Sequence, residues 1–136
     1  MRILVLCTGN SCRSQMAHGY LAHFFGDRAE VLSAGVETHG VNPRAIAVMM
    51  EDGIDISEYT SNHVDEYRAL HFDHVLTVCD NAREACPWFP TEAVQHHHDF
   101  IDPAKATGSD EEIMVAFRAT RDDIKQYCEH FATALR

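Results

Sequence analysis

Arg2-Ile3-Leu4-Val5-Leu6-Cys7-Thr8-Gly9-Asn10-Ser11-Cys12-Arg13-Ser14 is the stretch that decides how this chain folds. Arg2 to Leu6 is apolar on both faces and partly β-branched, the pattern of a strand buried on both sides. Cys7 to Cys12 is a loop of mostly small residues. Ser14 to Phe25 then places Met16, Tyr20, Leu21, Phe24 and Phe25 roughly on one side of a helix, which Gly26 ends. Buried strand, tight loop and helix, in that order, open a parallel α/β fold.

The pattern continues outward. Val31 to Ala34 predicts a second strand, and Pro43 opens a helix that runs to about Asp52 before Gly53 stops it. Ser61 or Asn62 starts a short helix to about Leu70. His74 to Val78 predicts a third strand and His97 to Ile101 a short fourth. Asp80 to Pro90, punctuated by Pro87 and Pro90, reads as a loop with one helical turn. Ser109 and Glu112 form a capping box for a long last helix, with an apolar stripe of Ile113, Phe117, Ile124, Tyr127, Cys128, Phe131 and Leu135. The 136 residues suit one hydrophobic core. The expected architecture is a single α/β domain over 1–136, a three-layer sandwich with a four-stranded parallel sheet flanked by helices.

Charge narrows the function. A net charge of −10 argues against nucleic acid or an anionic membrane as partner. It also repels anionic substrates, so any anion site has to be a local, preorganised device. The first apolar run, Ile3 to Leu6, is too short for a signal peptide or a membrane span, which places the chain in the cytoplasm by expectation. Cysteines stay reduced there. The five present, Cys7, Cys12, Cys79, Cys86 and Cys128, therefore point to catalysis or metal binding before a disulfide framework.

Cys7 to Ser14 has the make-up of such a device. Small residues let the backbone curl so that its N–H groups converge on one point, and Gly9 and Asn10 tolerate the positive φ angles a curl requires. The following helix adds the positive end of its dipole. Arg13 offers a planar fork of donors to two oxyanion oxygens. Thr8, Gly9, Asn10, Ser11, Cys12, Arg13 and Ser14 are thus the candidate oxyanion-binding residues. The same field lowers the pKa of Cys7 into a range of roughly 3.5–7.5, making it a thiolate nucleophile, and Ser14 is placed to donate to its sulfur.

Other residues carry weaker signals. Cys79 ends the third strand, and the strands of a parallel sheet present their carboxyl ends on one side, so Cys79 is expected near Cys7. With Cys86 it fits a thiol relay; a zinc site is the other use, although six residues separate the pair instead of two. Asp102, before Pro103, is either a general acid overhanging the site or a turn residue. His96, His97 and His98 are consecutive, so they cannot all face one ion from a strand, and no metal site is expected. Cys12 and Cys128 read as packing.

Cys7 to Ala17, Ser33-Ala34-Gly35, His39-Gly40-Val41-Asn42-Pro43, Asp55-Ile56-Ser57, Cys79 with Cys86-Pro87, and Asp102-Pro103-Ala104 together resemble the thioredoxin-coupled arsenate reductases, which share the low-molecular-weight phosphatase-like fold. The resemblance implies that Cys7 attacks arsenate while Arg13 and the loop hold it and Asp102 protonates the leaving oxygen. It further implies a Cys7–Cys79 disulfide on arsenite release, then a Cys79–Cys86 disulfide that thioredoxin reduces. Some members hold a potassium ion; Asn10 and Ser33 match that set, but His18 and Asn62 replace its two acids, so a potassium site is doubtful here. No bound cofactor is implied, and a monomer is expected. The rival readings are a low-molecular-weight tyrosine phosphatase, disfavoured by Ala104-Lys105 where tyrosines tend to follow Asp-Pro, and a non-catalytic oxyanion or redox sensor.

Overall fold

The computed structural model describes residues 1–79 and 92–135. Its hub is β1 (Arg2–Cys7). Helix α1 (Arg13–Phe25) carries the chain back so that β2 (Glu30–Gly35) pairs parallel with β1, from Arg2↔Glu30 to Cys7↔Gly35. After α2 (Pro43–Glu51) the chain crosses to the other side of β1. There β3 (His74–Thr77) pairs parallel from Ile3↔His74 to Leu6↔Thr77, and β4 (Val94–His97) pairs parallel with β3 at the sheet edge. Helix α3 (Asp110–Ala134) completes the fold. The strand order β2-β1-β3-β4 makes the carboxyl end of β1 a switch point, where successive connections leave to opposite sides and open a crevice.

Strand alternation explains the layers. Ile3, Val5 and Cys7 face a core shared with Met16, Tyr20 and Leu21 of α1, Val48 and Met49 of α2, and Phe117, Ile124 and Cys128 of α3. Leu4 and Leu6 face the other way, onto Val64, Phe72 and Val75. Ile3, Leu4, Val5 and Leu6 are fully buried, so truncating any one to alanine would cost about 2–5 kcal/mol. The sheet is flanked by helical elements on both faces, but among the described residues they are unequal. All three α-helices share the Ile3 face, whereas the Leu4 face has a 3-10 turn at Val64–Tyr67.

Two elements differ from expectation. The helix predicted from Ser61 or Asn62 to Leu70 is that single 3-10 turn. His63 starts it, accepting from Asp65 N at 3.0 Å while Glu66 accepts from His63 N at 2.8 Å. The fourth strand is Val94–His97 rather than His97 to Ile101. Pairing with the four-residue β3 ends at Thr77↔His97, and His98 N makes one more bond to Thr77 O at 3.0 Å before the chain leaves the sheet. The apolar pair that suggested a strand is split: Phe100 is 4% exposed and Ile101 is 67% exposed.

Candidate active site

The loop after β1 is held from outside, carbonyl by carbonyl. Thr8 O accepts from Glu37 N at 3.0 Å, Gly9 O from His39 N at 3.1 Å, and Ser11 O from Asn42 N at 3.0 Å. Asn10 O accepts from the buried Gln15 Nε2 at 3.0 Å, and Cys12 O from Met16 N at 2.9 Å. The carbonyls of Thr8, Gly9 and Ser11 are thus bonded by residues 37–42, and those of Asn10 and Cys12 by helix α1. Asn10 makes the turn possible: its φ is +47°, and it is fully buried. Its side chain locks it there, donating to Ser14 Oγ at 2.8 Å and accepting from Asn62 N at 2.8 Å. Gly35 is the point of closest approach, since a Cβ there would meet Thr8 O, Asn10 N and Glu37 O at 2.6–2.9 Å.

A cavity of about 260 Å³ lies over this loop, lined by Cys7, Thr8, Gly9, Ser11, Cys12 and Arg13, with His39, Asp102, Ala104 and Lys105 on the facing side. Cys7 is 3% exposed at the end of β1. Arg13 is buried; its Nη1 donates to Phe100 O at 3.2 Å and its Nη2 lies 3.6 Å from Asp102 Oδ2. Asp102 caps a turn and also lines the pocket. Its Oδ1 caps the 3-10 turn Pro103–Lys105, accepting from Ala104 N at 3.0 Å, while Oδ2 faces the guanidinium. Helix α1 enters the pocket with no side-chain cap and no acid in its first turn, leaving its positive end to face a ligand.

The family-model match covers residues 2–136 and is described as low molecular weight phosphotyrosine protein phosphatase. The chain belongs to that family. Among curated members, an arsenate reductase of Halalkalibacterium halodurans is 49% identical and one of Bacillus subtilis 45% identical, each over 96% of this chain and 94% of the relative. An arsenate reductase solved in its phosphate-binding state superposes with a TM-score of 0.82 at 32% identity, covering 99% of this chain and 98% of that one. A tyrosine phosphatase from Erwinia amylovora, at 19% identity and TM-score 0.77 over 98% and 91%, shares the fold.

The other cysteines of this phosphatase-family chain divide sharply. Cys79 is fully buried two residues after β3. Cys86 lies outside the described residues. Burial pushes the Cys12 thiol up to about 12 and raises Cys128 as well, which favours the protonated thiol in both. The histidine run is used singly. His96 Nε2 is 3.0 Å from His74 Nδ1, His97 pairs with Thr77 and Asp99, and His98 stacks on Phe100 and Tyr127. Among the described residues no group of three or more His, Cys, Asp or Glu side chains is arranged to hold a metal. No described helix is long and apolar enough to cross a membrane.

The residues at the potassium positions are engaged with other groups of the chain. His18 Nδ1 hydrogen-bonds with Ser33 Oγ at 2.9 Å, and burial lowers the His18 pKa to about 4, so a neutral ring fills that position. Asn10 Oδ1 and Asn62 Oδ1 already accept from Asn62 N and Thr60 Oγ1, both at 2.8 Å. Sequence reasoning missed the strap of residues 35–42. Its bonds run backbone to backbone and carry no side-chain signature; Gly35 and the His39-Gly40-Val41-Asn42 run were the available hints.

Proposed function

We propose that the chain reduces arsenate to arsenite. The observation that carries this reading is the convergence of Cys7, Arg13 and Asp102 on one small pocket at the carboxyl end of β1, with Cys79 leaving the adjacent strand. Relatives that are 45–49% identical bear the arsenate reductase name. Leu6 pairs with Thr77, so Cys7 stands opposite Val78 and Cys79 one residue further on. One strand spacing of about 4.8 Å and one rise of about 3.3 Å put the two Cα atoms about 6 Å apart, but side chains alternate, so Val78 shares the Cys7 face and Cys79, past the end of β3, has to turn toward Cys7 for the disulfide to form.

The steps balance as follows. The Cys7 thiolate attacks As(V), and an oxygen leaves as water with a proton from Asp102. Loop amides and Arg13 hold the remaining oxygens; Ser14, whose oxygen accepts from Asn10, has its own proton to give the Cys7 sulfur. The Cys79 thiolate then attacks the Cys7 sulfur. The S–As electron pair stays on arsenic, so arsenite departs as two thiols become one disulfide. Cys86 attacks Cys79, and a dithiol such as thioredoxin reduces the Cys79–Cys86 bond.

The test supplies arsenate, thioredoxin, thioredoxin reductase and NADPH. Sustained NADPH loss is expected, absent in Cys7→Ser; Cys86→Ser releases one arsenite per chain and stalls. Continued turnover of Cys86→Ser would refute the relay order. The family also supports a second reading, phosphate-ester hydrolysis through the same Cys7. Aryl phosphate cleavage without arsenite would favour it, and tight anion binding with neither activity would favour a sensor.

A further inference from the structure

The pocket is built mainly from donors: loop amides, the Arg13 guanidinium and the Lys105 ammonium. Besides the attacking Cys7 sulfur, two titratable side chains in its lining can present acceptors, Asp102 and His39. His39 Nε2 lies 2.8 Å from Glu37 Oε2. A carboxylate only accepts, so Nε2 carries the hydrogen, and in the neutral ring Nδ1 presents a lone pair. Nδ1 is also the atom turned toward the anion loop, since a Cβ on Gly9 would stand 2.5 Å from it.

The backbone fixes this arrangement. Glu37 N and His39 N bond to Thr8 O and Gly9 O, so residues 37 and 39 are held on the loop side by side. Their side chains are 60% and 57% exposed, and such a surface pair adds little stability. What it determines is the tautomer. Asp102 is less free for this role, because Oδ1 accepts from Ala104 N and Oδ2 faces Arg13.

We propose that His39, oriented by Glu37, selects oxyanions that carry a hydroxyl, so that the pocket prefers hydrogen arsenate or hydrogen phosphate to sulfate. This deepens the proposed function by naming which anions the same site takes. Near neutral pH arsenate and phosphate keep an O–H, whereas sulfate keeps none. A lone pair facing the pocket accepts that hydrogen; against sulfate it meets another lone pair and repels. Amide and guanidinium donors treat the anions more nearly alike, so the acceptor makes the difference. Glu37 acts through His39 and is a positioning residue.

Anion binding tests this without turnover. Inorganic phosphate and sulfate are titrated by calorimetry at about pH 8 into wild type, His39→Phe and Glu37→Gln. Wild type is expected to prefer phosphate, and His39→Phe to shrink the phosphate-to-sulfate ratio about tenfold, the worth of one hydrogen bond to a charged group. Glu37→Gln lets the ring hydrogen move to Nδ1 and shifts the ratio the same way by a smaller factor. An unchanged ratio in both variants, or equal weakening of both anions, overturns the proposal. A chain that binds anions with the expected ratios yet makes no arsenite would instead refute the reductase.

Discussion

Helices α1 and α3 begin in opposite ways. Helix α3 starts with Ser109, whose hydroxyl accepts from Glu112 N at 3.1 Å while Glu112 accepts from Ser109 N at 3.2 Å. Its first turn carries Asp110, Glu111 and Glu112. The positive end of that helix is neutralised by its own chain. Helix α1 starts at Cys12 and Arg13 with neither cap nor acid, over the pocket. A helix terminus that serves a ligand has to forgo the stabilisation, about 1 kcal/mol, that a cap gives. The difference separates a terminus closed by its own chain from one left open over a pocket.

The comparison breaks most visibly if α1 is made to resemble α3. Ser11→Asp puts a carboxylate beside the loop. At about 5 Å from a dianion and an effective dielectric constant of about 20, the repulsion is about 6 kcal/mol. Phosphate affinity and arsenite production are expected to fall by more than about a hundredfold while the melting temperature holds; binding that stays within tenfold would show that the uncapped terminus is not what attracts the anion.

Acid sharpens the contrast next. His18, on α1, has its pKa lowered to about 4 by burial, partly offset by a backbone hydrogen bond with Val31. The unfolded chain therefore binds more protons at this residue. Stability from the neutral ring is full above the unfolded value of about 6.5 and is lost as pH falls toward 4, in total about 2–3 kcal/mol. Urea midpoints at pH 7 and pH 4.5 should show this drop, and His18→Gln should remove most of it. The smallest effect belongs to α3: Ser109→Ala is expected to lower stability by about 1 kcal/mol, read as a melting shift of about 3 °C, with arsenite production unchanged.

What could be read from the sequence follows the same division between local and distant forces. β1, the loop and α1 are legible because burial period, small residues and Gly26 all act within the segment. The capping box of α3 is equally local, and the structure has it at Ser109 and Glu112 as expected. β4 was misplaced because its extent is set by the register with β3, and the apolar signal of Phe100 and Ile101 came from packing beyond the sheet. Asp102 was undecidable because the same carboxylate caps a turn with one oxygen and faces Arg13 at the pocket with the other. The strap at 35–42 acts through main-chain atoms, to which every residue contributes alike. Cys86 and its neighbours lie outside the described residues.

The wrapped loop has one more consequence. From Thr8 to Cys12 every carbonyl oxygen is tied to a donor elsewhere in the chain. A peptide plane whose oxygen is anchored cannot flip, so the hollow keeps one polarity whether or not anything sits in it. Inverting it to welcome a cation would mean breaking these bonds together, with the one from Ser61 Oγ to Gly9 O besides. If the proposed function holds, an incoming oxyanion meets a loop that is already fixed, and little of its binding energy goes into rearranging the host.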